Sequence, residues 1–259
     1  MRYKMKSVIY TGDLWSGTGI HPDLLNLITS RDMLVEIAFG DYPYHLTIGV
    51  PHHSAVGEEQ IAENWWNPRK GKYGRVSDEG AASYALVAFS SLRDQGVPCK
   101  LVITAHAIDH DPNKTPGCPY WEAIFSSPTR LLFECHGAGN NEETPDLELS
   151  AGNNTKASPI LFGRALAKAL GYQYLIAVQS TVKERSAIII GKDGVEVYGK
   201  LKLGAIETES LIHADELGIP ALHLEAKPAF RKSNNNNITG DGLRLGQAIA
   251  RAAIIYLSE

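Results

Sequence analysis

The feature that most constrains the fold of this chain is a series of short apolar runs, rich in β-branched residues, that recurs along the sequence. Runs that are apolar throughout are typical of strands buried on both faces of a sheet. Such strands require a mostly parallel or mixed sheet covered by helices on its two sides. The runs lie at residues 7–10, 34–39, 46–50, 101–105, 131–135, 175–178, 187–190 and 221–224.

Segments with helical start and stop signals separate these runs. Residues 81–92 follow Ser77 and Asp78 and precede Gly96, residues 159–170 are closed by Gly171, residues 206–217 precede Gly218, and residues 243–257 end the chain. We therefore predict an α/β fold, with a mixed, mostly parallel sheet and helices on both faces. Because no Pro-, Gly- and Ser-rich linker divides the chain, residues 1–259 are predicted to form a single domain. Residues 54–75 and 137–156 lack periodicity and are predicted to be long loops.

Composition argues against several classes of function. The chain has 25 Lys plus Arg against 29 Asp plus Glu, a formal charge of -4, which argues against a strongly basic nucleic-acid binder. Since no apolar run approaches the roughly 18 residues of a membrane span and the amino-terminal segment is too polar for a secretory leader, we expect a soluble, cytoplasmic protein without a membrane partner. The 3 cysteines include no C-x-x-C pair, so neither a disulfide framework nor a cysteine zinc site is indicated.

Polar residues follow three of the predicted strands at the point where each strand ends. His52 and His53 end the first, Glu134 and His136 the second, and Glu225 the third. Ligands of open α/β sheets bind at the carboxyl ends of strands, and a carboxylate buried there needs a cation. Two imidazoles and a carboxylate with an open position are typical of a hydrolytic zinc site. Taken singly, each histidine is better explained as a hydrogen-bonded core or loop residue, and it is their combination at strand ends that favours a metal.

The carboxylate ligand has more than one candidate. Asp78 and Glu79 are predicted in the first turn of the helix at residues 81–92, where acids also stabilise a helix start without binding metal. Glu58 and Glu59 lie closer to His52 in the sequence but fall in an aperiodic segment, and are less favoured.

Several familiar motifs are absent from the sequence. It has no G-x-S-x-G, no G-x-x-x-x-G-K-[ST] and no G-x-G-x-x-G after a strand. The absence of these motifs argues against a serine hydrolase of the usual α/β type and against a nucleotide-dependent enzyme.

Six short segments, in order over about residues 46 to 231, resemble the N-formylglutamate amidohydrolase family, whose fold is like that of the zinc carboxypeptidases (phosphorylase/hydrolase-like). The family shows a P-H-x-G-like strand end, an acid opening a helix, D-L-N-R, D-x-H-S, a P-D segment and a late Q-x-E. The matching segments here are Pro51-His52-His53-Ser54, Ser77-Asp78-Glu79-Gly80, Asp111-Pro112-Asn113-Lys114, Glu134-Cys135-His136-Gly137, Pro145-Asp146 and His223-Leu224-Glu225.

This resemblance implies a ligand set for one zinc ion per chain. His52, Asp78 and His136 take the ligand positions, and Glu79 is the alternative carboxylate because the register at a helix start is uncertain by one residue. Glu134 would then contact a ligand rather than the zinc ion, and would accept a hydrogen bond from that ligand or balance charge.

The resemblance also implies the remaining parts of a hydrolase. Glu225 is the general base and acid, and Asn113 with Lys114 is the anchor for a substrate carboxylate. Arg231 is a third expected substrate-binding residue, and Lys114, Arg231 and Arg130 are the cations available to stabilise an oxyanion.

The implied activity is zinc-dependent cleavage of the amide bond in a small N-acyl amino acid or short peptide with a free carboxylate. Lys114, Glu134, Gly137 and His223 stand where the family has arginine, aspartate, serine and glutamine, which puts the substrate rather than the chemistry in question. Two alternatives stay open: a carboxypeptidase or γ-glutamyl peptide hydrolase on the same scaffold, and a non-catalytic relative that binds an anion or a partner protein.

Overall fold

The computed structural model describes residues 5–58, 61–67, 72–107, 109–140, 144–203, 205, 208–232 and 237–259. The helices are α1 (Pro22–Thr29), α2 (Ala81–Asp94), α3 (Pro119–Phe125), α4 (Pro159–Ala169), α5 (Glu209–Glu216) and α6 (Gly240–Ser258). The strands are β1 (Lys6–Ile9), β2 (Trp15–Ser16), β3 (Gly19–Ile20), β4 (Met33–Phe39), β5 (Leu46–Ser54), β6 (Ile61–Asn67), β7 (Lys72–Val76), β8 (Asp78–Glu79), β9 (Cys99–Ala105), β10 (Leu132–Gly137), β11 (Leu147–Ser150), β12 (Ile176–Gln179), β13 (Ser186–Ile190), β14 (Glu196–Lys200) and β15 (Ala221–Ala226).

A mixed sheet of 11 strands organises the described part of the chain. Its order is β1-β4-β9-β5-β10-β15-β11-β12-β13-β14, with β8 paired to β5 beside this path. The central strands β9, β5, β10 and β15 are neighbours and run parallel, whereas β4, β11, β13 and β14 introduce antiparallel pairs. The predicted mixed, mostly parallel α/β sheet is therefore confirmed.

Helices cover both faces of the sheet because each face of the central strands is apolar. On one face α1, α2, α4 and α6 share a core with side chains such as Ile48 and Phe133. On the other face α3 and α5 pack with Leu132 and Ala221. Burial on both faces explains why the strands read as continuous apolar runs rather than as alternating ones.

The predicted elements are all present within the described residues, with ends that shift by a few positions. Each of the eight apolar runs coincides with a strand, and the four helical segments correspond to α2, α4, α5 and α6. The first residues of the predicted helix at 206–217 lie outside the described part, and α5 begins at Glu209.

The two segments predicted as long loops contain strands, so that prediction is wrong in part. Residues 54–75 contribute β6 and most of β7, which form a separate antiparallel pair, and residues 137–156 contribute β11. The sequence of β11 does not resemble a buried strand, because it includes the polar residues Glu148 and Ser150, which are both buried. Glu148 accepts backbone N–H groups of Lys202 and Leu203, and Ser150 accepts that of Ala205, so these polar side chains bury without an unpaired acceptor.

All three cysteines are buried and unpaired. Burial raises the pKa of the Cys99 thiol to about 12 and raises that of the Cys135 thiol further above its ordinary value. These thiols are core residues. Within the described residues, no helix has the length and apolar character needed to cross a bilayer.

Candidate functional site

His52, Asp78 and His136 meet at the carboxyl edge of the central parallel strands. The Nδ1 atom of His52 lies 3.4 Å from Oδ2 of Asp78, and the Nδ1 atom of His136 lies 3.2 Å from the same oxygen. One ligand atom from each of the three residues lies within 4.8 Å of the other two. Two ligand atoms on a tetrahedral zinc ion, with bonds near 2.0–2.1 Å, are about 3.3 Å apart. The donor types and the two carboxylate-to-imidazole spacings therefore fit a zinc ion.

An irregularity in β5 directs its two histidines to different places. The pairing of β5 with β9 shifts register between Val50 and His53, as a bulge does when it re-aims a side chain. His52 faces the site, whereas Nδ1 of His53 accepts the backbone N–H of Ala82 at the start of α2, 3.2 Å away. Burial lowers the pKa of His53 to about 3. His53 is thus a neutral residue that caps α2 rather than a member of the ligand group.

Asp78 rather than Glu79 is the carboxylate that faces the histidines. Both residues form the two-residue strand β8, and α2 begins only after Gly80, so their predicted place in the first turn of the helix is wrong. Strand geometry turns neighbouring side chains to opposite sides. Glu79 consequently pairs with Lys232. Of the less favoured acids, Glu58 is exposed and Glu59 lies outside the described residues.

Asp111 contacts His52 on the side of the imidazole ring opposite to Asp78. Its Oδ1 is 2.9 Å from Nε2 of His52, so the imidazole lies between two carboxylates, with Nδ1 toward Asp78. A carboxylate on the far nitrogen fixes the tautomer and orientation of a metal-binding histidine. Asp111 opens the segment Asp111-Pro112-Asn113-Lys114, and its place in that segment is the one signal in the sequence that could have pointed to this contact.

His136 is held on its far side by Asn113 and Glu134. Its Nε2 is 3.4 Å from Nδ2 of Asn113 and 3.9 Å from Oε2 of Glu134. The latter distance is too long for a direct hydrogen bond, so Glu134 acts on the ring through its charge. The Tyr120 hydroxyl donates to Oε1 of Glu134 at 2.8 Å, and the Ser210 hydroxyl donates at 2.9 Å.

Glu225 lies beside this group on β15, opposite His136 in the β10–β15 pair. Its Oε1 is 3.2 Å from Nε2 of His223. The His223 ring stacks on the His136 ring, with centroids 4.0 Å apart and an interplanar angle of 24°. Glu134, His136 and His223 also have candidate ligand atoms within 4.8 Å of one another. Because that second group shares His136 with the first, both belong to one continuous site.

The charges of the site depend on each other. Burial would raise the pKa of Asp78, but hydrogen bonds with His136 and His52 hold it well below its ordinary value. Burial likewise opposes ionisation of Glu225, yet the contact with His223 and the charge of His136 lower its pKa. Burial would lower the pKa of His136, but Asp78, Glu134 and Glu225 together raise it to about 10. The three carboxylates therefore favour the protonated form of His136 in the metal-free protein.

The three cations named from the sequence have different surroundings. Lys114 is partly exposed, with its ammonium 3.8 Å from Oδ2 of Asp111. Arg231 is 5% exposed and donates to three backbone carbonyls. Arg130 precedes β10 at the opposite edge of the sheet and donates to the carbonyl of Leu257, so the proposal that it stabilises an oxyanion is wrong.

A cavity of about 210 Å³ also lies at that opposite edge, between β5 and the end of α6. Its wall is mainly apolar, with His45 and Arg130 as its polar side chains next to residues such as Leu92 and Leu257. Of the described residues that surround it, none belongs to either candidate metal-binding group. The chemistry-bearing residues therefore point to the carboxyl edge and not to this cavity.

No family model and no curated protein sequence matches the chain. Solved structures that resemble it include N-formylglutamate amidohydrolase from Ralstonia eutropha JMP134, with a TM-score of 0.48 and 10% identity over 87% of this chain and 97% of that one. The apo form of the N-acetylmuramyl-L-alanine amidase Ami1 from Mycobacterium abscessus has a TM-score of 0.45 and 15% identity over 82% and 98% of the two chains. A metallo-carboxypeptidase from Burkholderia cenocepacia has a TM-score of 0.44 and 13% identity over 87% of this chain and 60% of that one. At such identities and TM-scores, function has to be argued from the side chains of this chain.

Proposed function

We propose that this protein is a zinc-dependent amidohydrolase that cleaves the amide bond of a small N-acyl amino acid or short peptide with a free carboxylate. The observation that carries the proposal is the convergence of His52, Asp78 and His136 on one point, beside the ionised carboxylate Glu225. This is the donor set of a hydrolytic zinc site, in which three protein ligands leave one position open.

Zinc, when bound by these three residues, would polarise the amide carbonyl and lower the pKa of a water toward about 7. The rest of the chemistry belongs to the chain. Glu225 is ionised and held by His223, so it can accept a proton from the attacking water. It can then return that proton to the nitrogen that leaves, which makes one carboxylate both base and acid.

Lys114 is the best-placed anchor for the substrate carboxylate. Its ammonium is partly exposed and lies against Asp111, the same carboxylate that orients His52. A substrate carboxylate bound by Lys114 would therefore be positioned relative to His52, because Asp111 contacts both residues. Lysine presents a point charge rather than a planar fork, so we expect tolerance in the shape of the anchored acid. Asn113, buried against His136, is proposed to contribute to the same wall.

A metal analysis and a substrate screen test this proposal. We expect about one zinc per chain in the purified protein, and loss of stoichiometric zinc when both His52 and His136 are replaced by alanine. The zinc-loaded protein is then assayed for released amine with N-formyl and N-acetyl amino acids, dipeptides and γ-glutamyl peptides. Release of carboxyl-terminal residues from longer peptides would instead favour a carboxypeptidase.

The change Glu225→Gln separates an enzyme from a binding protein. Glutamine is nearly isosteric and cannot take the proton, so kcat should fall by roughly 10²–10⁴ while zinc content and melting temperature are retained. Zinc content by mass spectrometry and calorimetric melting serve as controls. A variant that melts early but keeps its turnover per folded molecule would contradict the catalytic role. Zinc retention without turnover in the parent protein on any of these substrates would favour a non-catalytic relative.

A further inference from the structure

Arg231 lies at the meeting point of three segments of the carboxyl edge. Its Nε donates to the carbonyl of Ala226 at 3.1 Å, its Nη2 donates to the carbonyl of Ala138 at 2.6 Å, and its Nη1 donates to the carbonyl of Glu79. The side chain is 5% exposed. One guanidinium therefore cross-links segments that are far apart in the sequence.

Each of these carbonyls follows a residue of the proposed site. Glu79 comes directly after Asp78, Ala226 comes directly after Glu225, and Ala138 is the second residue after His136. A planar cation with N–H groups in a fixed fork holds its acceptors in one geometry. The spacing between the three segments is thus set by the shape of a single side chain.

Gly137 provides the space that this arrangement needs. A Cβ atom on Gly137 would lie 2.7 Å from Cζ of Arg231 and 2.8 Å from Nε, so any larger residue would displace the guanidinium. The related family has serine at this position of its D-x-H-S motif. The glycine in this chain is therefore matched to Arg231 and is not a neutral departure from the motif.

The charge of Arg231 is also placed with respect to the site. Burial lowers its pKa, while the negative charges of Asp78 and Glu225 act in the opposite direction. Its hydrogen bonds nevertheless go to backbone oxygens and not to those carboxylates. The carboxylate oxygens of Asp78 and Glu225 consequently remain bonded to the histidines, while the charge of the Arg231 guanidinium acts on both carboxylates.

We infer that Arg231 is a positioning residue, which holds the segments of Asp78, His136 and Glu225 in the spacing that the zinc site requires. Its action on metal binding rests on the proposed function, whereas the cross-link itself does not. The role differs from the substrate-binding, oxyanion-stabilising role considered in the sequence analysis, because three N–H groups of Arg231 already donate to backbone carbonyls.

Hydrogen exchange of the metal-free protein tests the cross-link. In Arg231→Met, amides near Glu79, Ala138 and Ala226 should lose protection together, because their shared donor is gone. Arg130→Met is the matched control, since Arg130 also donates to a backbone carbonyl but lies at the opposite edge of the sheet. It should leave the three segments protected. Unchanged protection in Arg231→Met would overturn the inference.

Metal affinity tests the positioning. Competition with a zinc chelator should show about 10- to 100-fold weaker binding in Arg231→Met, as for other residues that support metal ligands, and the absorption spectrum of the cobalt-loaded protein should change. Arg231→Lys should recover only part of the affinity. If Arg231→Met does not fold, Gly137→Ala disturbs the same contact by pushing on the guanidinium and should weaken zinc binding and protection together.

The outcomes separate this inference from the proposed function. Loss of protection with unchanged zinc affinity and cobalt spectrum would overturn the positioning role. An increase in KM alone, with zinc affinity and exchange unaltered, would show that Arg231 is a substrate anchor. If the parent protein binds no zinc, the proposed function fails, and the exchange experiment still decides whether Arg231 cross-links the three segments.

Discussion

Zinc binding should displace a proton from His136, and the affinity should therefore rise with pH. Despite its burial, contact with Asp78 and the charges of Glu134 and Glu225 raise the pKa of His136 to about 10 in the metal-free protein. Only the neutral imidazole can bind a metal through Nδ1. At neutral pH each zinc ion must accordingly compete with one proton on this ring.

The size of the effect follows from that pKa. Below a pKa of about 10, displacement of one proton changes the dissociation constant about tenfold per pH unit. Between about pH 7 and pH 9 the affinity for zinc should increase roughly 100-fold, and it should level off near pH 10. Asp78 and Glu225 add no further proton over this range, because their pKa values are lowered and both are already ionised.

Titration calorimetry in two buffers of different ionisation heat counts the released proton, and chelator competition at a series of pH values measures the slope. Glu134→Gln is the informative variant, because it removes a charge beside His136 without removing a ligand. Its affinity should level off at a lower pH than that of the parent protein. An affinity that is independent of pH over this range, or heats that do not depend on the buffer, would refute the reasoning.

The same proton determines how stability depends on pH. The folded-state pKa of His136 lies above the ordinary value of 6.5, so protonated His136 stabilises the metal-free fold fully below pH 6.5, and this contribution is lost as the pH rises through about 10. Zinc-loaded protein lacks this proton. Its melting temperature should therefore fall less between about pH 8 and pH 10 than that of the metal-free protein.

Two further predictions follow from contacts at the site. Asp78→Ala should abolish tight zinc binding. Glu79→Ala breaks only the pair with Lys232, so it should cost at most about 1 kcal/mol of unfolding free energy and leave the zinc content unchanged. Metal analysis and denaturant unfolding of the two variants test this difference, and equal, small effects would remove Asp78 from the proposed ligand set. Asp111→Ala should leave His52 without its outer carboxylate and weaken zinc affinity by about 10- to 100-fold; chelator competition measures the change, and an unaltered affinity would contradict the orienting role.

The sequence predicted that residues at strand ends would lie close together, which the structure bears out, but it could not predict contacts made by loop residues. His52, His136 and Glu225 lie near one another because each stands at the carboxyl end of a buried strand, and these strands are parallel neighbours whose carboxyl ends share one edge. Asp111 lies in one of the segments that resemble the family, but its role could not be predicted from the sequence, since its contact with His52 spans 59 positions of the chain. A pattern within one short segment carries no information on such a contact.

The proposed role of Arg231 could not be predicted from the sequence either. Its acceptors are backbone carbonyls, which every residue type presents, so no side-chain pattern marks them. The glycine at position 137 was visible in the sequence, but its match to a guanidinium appears only when the Cβ position is compared with Arg231. The local structure around Asp78 was misread because a two-residue strand is too short to show a period.

The reactivity of Cys135 reports on the opening of β10, the strand that also carries His136. This thiol lies between Glu134 and His136 on β10, is fully buried, and is held in its protonated form by burial. A thiol in that state cannot react with an alkylating reagent until the strand is exposed. The rate at which Cys135 is modified in the native protein therefore measures how often β10 separates from its neighbours, without any label or substitution. A ligand that binds at the carboxyl edge should slow this modification in proportion to its occupancy.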